Sequence, residues 1–360
     1  MAPVVKTFRA ELGDDAMLIS TGQHREMLDQ VFDWFDLMPN EDLGVMTPNQ
    51  TLSSVMSKSL TGLQELIDKH EPDVVLAQGD TTTVMASALA AFHNQVSFGH
   101  VEAGLRTHDL SKPFPEEGFR QMAGRVAKWH FAPTRRSAEA LEAEKTSGTV
   151  HTIGNTVIDA LLDTAARAPE PEVTLKRNKL CLITGHRREN HGPRFEAAFG
   201  SLAELARRHD DVDFVYPVHL NPRVHDAAHR MLKGLDNIQL IAPVAYPQMA
   251  ALMKRARLII TDSGGVQEEA PSLGVPVLVM RESTERQEAV ECGAAKLVGT
   301  NPELIIQEAS ALITDDLAHR QMVTRVNPFG DGRSAVRIVD IVCGRESNLE
   351  DGEIGLATVH

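Results

Sequence analysis

The sequence predicts an α/β protein made of two Rossmann-like, doubly wound parallel-sheet domains, and three observations carry the prediction. Short β-rich apolar runs alternate with amphipathic segments along nearly the whole chain. The runs are continuously apolar, not alternating, which marks strands covered by helices on both faces. At 360 residues, the chain is long enough for two such domains with full cores.

In order, the first strand candidates are DAMLIST (15–21), PDVVLAQ (72–78), VSFGHVE (96–102), KWHFAP (128–133) and VHTIG (150–154). A second series follows: KLCLITG (179–185), DFVYPV (213–218), IQLIA (238–242), RLIITD (257–262), PVLVM (276–280) and AKLVG (295–299). Helical spacing is plain in LTGLQELIDKHE (60–71) and RFEAAFGSLAELARRHD (194–210). Composition shifts once, at the charged, proline-containing stretch ARAPEPEVTLKRN (166–178), read as a linker. This gives a first domain over 1–165, a second over 166–335, and a C-terminal helix and tail over 336–360. The opening, MAPVVKTFRAEL, reads as a helix where a doubly wound domain should start with a strand and a phosphate-facing loop, so the first strand is expected to be missing.

Composition narrows the function. No apolar run approaches the roughly 20 residues that span a bilayer, and the first residues lack the apolar core of a signal peptide. Three widely spaced cysteines, Cys181, Cys292 and Cys343, fit a reduced, cytoplasmic protein. The net charge of −14 and 4% aromatic content argue against nucleic-acid or acidic-membrane partners. An anionic ligand must therefore be held by local devices.

Ligands of doubly wound sheets sit beyond the carboxyl ends of the strands, so motifs there matter most. LAQGDTTTVMA places Asp80 between a strand and an apolar helix, where a helix cap is the plainer reading. In GHVEAGLRTHDLSKPFPEEGFRQ, Glu102 ends a buried strand and needs a partner or a role. Glu116 and Glu117 open the next helix, where its dipole favours acids. LITGHRRENHG ends a strand in His186 and two arginines, which suits an anion, although a solvated loop has the same composition. His225 and His229 share a helix face but lack further ligands at metal spacing, so no metal is expected. In TDSGGVQEEAPSLGVPVLVM (261–280), a strand runs through Ser263-Gly264-Gly265 into a helix, offering amides to a phosphate. Glu269 follows one turn on. A nucleoside diphosphate answers both features, with its phosphates on the amides and its ribose hydroxyls on the carboxylate.

In chain order, HVEAGLR, PEEGFR, GNTVIDAL, TGHRRENHG, VYPVHLNP and TDSGGVQEEAPSLGVPVLVMR resemble the non-hydrolysing UDP-N-acetylglucosamine 2-epimerases, from about residue 1 to about 340. The resemblance implies the glycosyltransferase-B architecture with an active site in the central cleft. It also implies interconversion of UDP-N-acetylglucosamine and UDP-N-acetylmannosamine for cell-surface polysaccharides, by elimination of UDP to 2-acetamidoglucal and re-addition. By motif match the catalytic group is Asp80, Glu102, Glu116 and His186. The three carboxylates are expected to raise one another's pKa, and His186 to assist departure of the diphosphate. UDP falls to Ser263, Gly264, Gly265, Glu269 and Arg286. Gln23, His24 and His219 match a second site at which UDP-N-acetylglucosamine acts as activator in some bacterial members. A homodimer is implied, and neither a metal nor a nicotinamide cofactor.

Two departures are visible. The strand and G-T-R-P-E loop that precede this segment in the family have no counterpart, which predicts an internal start codon or a truncated chain with an exposed apolar slot and poor stability. Gln287 stands where the family usually has proline, next to Arg286. Other readings stay open at this level: an epimerase of a UDP-diacetamido sugar, a glycosyltransferase of the same architecture, or a non-catalytic UDP-sugar binder.

Overall fold

The computed structural model describes residues 1–23, 25–47, 50–185, 193–323 and 326–345. The chain divides into two compact units, Met1–Ala160 with the segment from Gly332 onward, and a second that begins at Leu161 and ends at Asp331.

The first unit runs α1 (Ala2–Leu12), β1 (Ile19–Ser20), α2 (Arg25–Phe35), β2 (Glu41–Asp42), α3 (Leu52–His70), β3 (Val74–Gln78), α4 (Thr82–His93), β4 (Ser97–Val101), α5 (Glu116–Gly124), β5 (Trp129–Ala132), α6 (Arg135–Ala143), β6 (Thr149–Thr152) and α7 (Thr156–Arg167). Helix α3 starts where the Thr51 hydroxyl accepts the Ser54 N–H, and it buries Val55, Ser59, Leu63 and Ile67 along one stripe. Helix α4 is rich in small residues, and Ala86, Ala88, Ala90 and Ala91 have no exposed surface. Strands β3-β4-β5-β6 form a parallel sheet in that order, and β1 pairs with β2 in a separate parallel ribbon. On the far side of the sheet, Met1, Val4 and Phe8 of the opening segment pack with Val101, Phe131 and Ile153.

The second unit contains β7 (Lys179–Thr184), α8 (Pro193–Arg208), β8 (Val212–Pro217), α9 (Pro222–Leu232), β9 (Ile238–Ile241), α10 (Tyr246–Arg255), β10 (Leu258–Thr261), α11 (Gly264–Glu269), β11 (Val277–Val279), α12 (Gln287–Glu291), β12 (Ala295–Leu297), α13 (Pro302–Thr314) and α14 (Asp316–Met322). Its six parallel strands lie in the order β12-β11-β10-β7-β8-β9. The order reverses at β7, which is flanked by β8 and β10. The carboxyl ends of β7 and β10 are therefore the switch point at which such sheets open a ligand crevice. Leu180 to Ile183, Phe214 to Tyr216 and Leu258 to Ile260 are all buried, as helices on both faces require.

All eleven strand candidates occur as strands, several of them shortened. Strand β2 was not anticipated, because Glu41–Asp42 carries no apolar signal. Two boundaries also differ from the sequence reading. The change of unit falls inside α7, ahead of the proline-containing stretch 166–178. The C-terminal helix α15 (Ser334–Val342) is no separate appendage and belongs to the first unit. Its Ala335 N–H donates to Asp159 Oδ1 at 2.8 Å and Arg337 donates to the Ile153 carbonyl at 3.2 Å. Sequence distance hid this return: nothing in residues 336–360 names a partner.

Candidate active site

In the first unit, the carboxyl ends of β3 and β4 bring two expected residues together. Glu102 follows β4 with φ +62°, a conformation uncommon outside glycine and costing about 1–3 kcal/mol when other contacts enforce it. Those contacts are visible. Gln78 at the end of β3 donates its amide to Glu102 Oε2 at 3.3 Å, and Asn155 after β6 donates to Oε1 at 3.5 Å. The Gln78 amide is itself oriented, because its oxygen accepts from the Thr156 hydroxyl at 3.4 Å.

Asp80 stands two residues beyond Gln78. Its nearest charged neighbour is a guanidinium, not a second carboxylate: Arg120 Nη2 lies 2.5 Å from Asp80 Oδ2. The same guanidinium reaches Glu117 at 3.2 Å, tying the end of β3 to the start of α5. Glu117 has no exposed surface and accepts the N–H groups of Thr107 and His108 at 3.0 and 3.1 Å. Burial works against ionisation, but the bonds from Gln121, Thr107 and His108 and the charge of Arg120 outweigh it, holding this carboxyl below its ordinary range. The paired glutamates thus divide their work. Glu117 is consumed in fixing the loop, and Glu116 beside it is half-buried and makes no such bond among the described residues. Arg106 is likewise structural, with a bidentate pair to Glu144 at 2.7 and 2.9 Å.

In the second unit, the switch point is built from hydroxyls and main chain. Thr184 and Thr261 hydroxyls meet at 2.6 Å across the ends of β7 and β10, and Tyr216 donates to the Gly185 carbonyl at 2.7 Å. The Ser263 N–H is taken by the Thr261 hydroxyl at 2.9 Å, so the expected phosphate amides reduce to those of the first turn of α11, which no helix carbonyl satisfies. Gln267 returns to the Ser263 carbonyl at 2.8 Å and accepts from Thr284 at 2.6 Å, tying the turn to the loop that carries Arg286. Arg286 closes over that turn: a Cβ on Gly264 would lie 3.2 Å from its Cζ, which explains glycine there.

The two acids of α11 also divide. Glu268 is buried and pairs with Arg286 Nε at 2.7 Å. Glu269 faces Tyr246, whose O–H donates at 3.4 Å, and one of its oxygens lies 3.5 Å from the Cβ position of Gly265. Burial, with the charge of Glu268 added, pushes the Glu269 carboxyl up to about 7 against the Tyr246 bond.

Of the other expected site residues, His186 and His24 lie outside the described residues. Gln23 accepts from the Thr83 hydroxyl at 2.8 Å in the first unit, and His219 Nδ1 accepts the Asn221 N–H at 3.0 Å in the second. Gln78, Arg120, Asn155 and Tyr246 escaped the sequence reading. Arg120 had a legible signal, its spacing of three from Glu117 on one helix; the others did not. Among the described residues, no group of three or more His, Cys, Asp or Glu residues could hold a metal.

Two Rossmann-like units, one ending its strands in buffered carboxylates and the other in a glycine turn under an arginine, define an α/β protein of the glycosyltransferase-B class. A glycotransferase of kitacinnamycin shares that fold, with a TM-score of 0.62 at 15% identity over 95% of this chain and 93% of its own. A family model described as UDP-N-acetylglucosamine 2-epimerase matches residues 7–343. The UDP-N-acetylglucosamine 2-epimerase of Yersinia pestis is 46% identical over 361 residues, covering 97% of this chain and 96% of that protein. The solved UDP-GlcNAc 2-epimerase of Neisseria meningitidis, bound to UDP-GlcNAc, superposes with a TM-score of 0.84 at 40% identity, over 96% of each chain. The chain belongs to the UDP-N-acetylglucosamine 2-epimerase family.

Proposed function

We propose that this chain interconverts UDP-N-acetylglucosamine and UDP-N-acetylmannosamine without hydrolysis, supplying a precursor of cell-surface polysaccharide in the cytoplasm. The observation that carries the reading is the gathering of Glu102 and Asp80 around the single short segment Gln78–Asp80. Amide donors on one carboxylate and a guanidinium on the other suit groups that exchange a proton.

The C2 hydrogen of the sugar is not acidic enough to leave alone. A carboxylate takes it, its electron pair forms the C1–C2 double bond, and the C1–O bond breaks with its electrons going to UDP. The product is 2-acetamidoglucal. UDP then adds back at C1 while a proton reaches C2 from the other face. The step moves a proton and no hydride, so it needs no nicotinamide. Asp80, Glu102 and Glu116 are the proton-handling groups, and His186 assists departure of UDP. Ser263, Gly264, Gly265 and Arg286 hold the diphosphate, and Glu269 the ribose hydroxyls. UDP-N-acetylglucosamine also acts as activator through Gln23, His24 and His219, and the working form is a homodimer.

The test is proton NMR of the purified chain with UDP-N-acetylglucosamine in D₂O. The reading requires UDP-N-acetylmannosamine carrying deuterium at C2. Accumulation of free UDP and sugar would remove the non-hydrolysing assignment, and an unchanged spectrum would leave a binder.

A further inference from the structure

A buried histidine stands directly behind the carboxylate pair. His100 lies inside β4, is 1% exposed, and points its Nε2 at the Gly79 carbonyl 2.7 Å away. A carbonyl only accepts, so Nε2 carries the hydrogen and Nδ1 carries the lone pair. Nδ1 meets no hydrogen-bond partner among the described residues. Burial, reinforced by the charges of His130 and Arg106, pushes the imidazole down to about 4 against the Gly79 bond, which fits a neutral ring with its one hydrogen on Nε2. His130 is its cross-strand neighbour on β5.

The acceptor of that bond matters more than the donor. Gly79 has φ +88°, and its N–H donates to the Val101 carbonyl at 3.0 Å. Both main-chain groups of Gly79 are therefore held from β4, one by backbone and one by the imidazole. The next residue is Asp80, and the Cβ position of Gly79 lies 3.8 Å from Glu102 Oε2. Rotation of the Gly79–Asp80 peptide would swing the Asp80 carboxylate, and glycine offers little resistance of its own.

We propose that His100 is a positioning residue for the epimerisation: its Nε2–H fixes the Gly79–Asp80 peptide and so sets the direction in which Asp80 presents its carboxylate beside Glu102. The inference rests on the function proposed above. His100 touches no substrate and acts only through Gly79.

The experiment measures kcat, KM and C2 deuteration for His100→Leu, His100→Gln and each combined with Asp80→Asn. Gln carries an N–H close to the place of Nε2, and Leu carries none. In His100→Leu, kcat falls by roughly 10–100-fold, as for loss of a partner that orients a catalytic group, while UDP affinity changes by less than about twofold. His100→Gln restores kcat to within about threefold of the unaltered chain. In the Asp80→Asn background, His100→Leu adds little further loss, because the group it orients no longer functions. An unchanged kcat in His100→Leu, failure of Gln to rescue, or losses that multiply with Asp80→Asn would each overturn the proposal. If His100→Leu does not fold, His100→Asn, whose amide stops short of Gly79, replaces it with the same readings. An unaltered chain that incorporates no deuterium defeats the proposed function first and this inference with it, so the two failures are told apart.

Discussion

The ends of β3 and β4 in the first unit and those of β7 and β10 in the second solve opposite problems with similar backbones. The first unit holds carboxylates where they would not rest by themselves. It uses a left-handed residue at Glu102, amides from Gln78 and Asn155, and a guanidinium shared by Asp80 and Glu117. Among its described residues, the second unit shows no comparable cluster at its strand ends. It ties its turn with threonine hydroxyls, a glutamine and an arginine whose charge is already balanced by Glu268. Charges that change protonation need directed, polar surroundings. A ligand that brings its own charge needs pre-arranged donors and close backbone approach. The comparison therefore predicts that damage to the first unit appears in kcat and damage to the second in affinity.

The largest effects should come from the carboxylates. Glu102→Gln and Asp80→Asn are each expected to lower kcat by about 10²–10⁴-fold, the usual worth of a positioned acid or base. UDP affinity, read by calorimetry, should stay within about twofold of the unaltered chain. A large loss of UDP affinity in either variant would break the division between the units.

Arg120→Met sharpens the same point, because it separates holding a carboxylate from being one. It removes the partner of Asp80 and one of the groups that hold Glu117, which has no exposed surface but keeps its bonds from Thr107, His108 and Gln121. Losing a charged partner of a buried carboxylate is expected to cost about 1–3 kcal/mol of stability. Urea titration would read it directly. A parallel fall in kcat of roughly 10–100-fold is expected from misdirected Asp80. Stability lost with kcat intact would make Arg120 a purely structural residue.

In the second unit, Arg286→Ala is expected to raise KM for the UDP-sugar by about 10–100-fold, the range of one charge-assisted hydrogen bond, with a smaller change in kcat. Steady-state kinetics decides it. A fall confined to kcat would mean that Arg286 acts on the departing diphosphate and not on the bound ground state.

The sequence was most informative where physics is local. Continuous apolar runs such as KLCLITG and RLIITD became buried parallel strands because both faces of a doubly wound sheet are covered. Asp80, Glu102 and the Ser263-Gly264-Gly265 turn stood out because strand ends followed by helices are short-range patterns. What escaped was long-range pairing. Gln78 and Asn155 meet at Glu102 only because β3, β4 and β6 lie in one sheet, and neither amide looks unusual in its own stretch. The Arg120–Asp80 pair joins residues 40 apart in the chain, and Asp159 meets Ala335 across 176. No periodicity encodes such contacts. The strand β2 was missed for a different reason: two acidic residues on a ribbon edge have no apolar face to reveal them.

The subtlest test concerns the acid one turn beyond the glycine turn of the second unit. Glu269 is raised to about 7 by burial and by Glu268, and Tyr246 supplies only one long hydrogen bond in return. Arg286 is already engaged by Glu268 at 2.7 Å. The second unit therefore holds a carboxyl that is part protonated at neutral pH. Two vicinal hydroxyls donate to a carboxylate and not to a protonated acid, which keeps only part of its accepting capacity. With the ribose on Glu269 as proposed, binding selects the ionised form, and affinity is expected to rise as pH climbs through about 7. The diphosphate ester of UDP-N-acetylglucosamine does not titrate there, so the slope belongs to the protein. Measured by calorimetry on the Glu102→Gln chain, whose turnover is slowed, affinity is expected to be roughly tenfold weaker at about pH 6 than at about pH 8. Glu269→Gln should be weaker above about pH 7 and flat across the window. A slope that survives Glu269→Gln would assign the titration elsewhere, and a flat unaltered profile would show that ribose does not rest on this carboxylate.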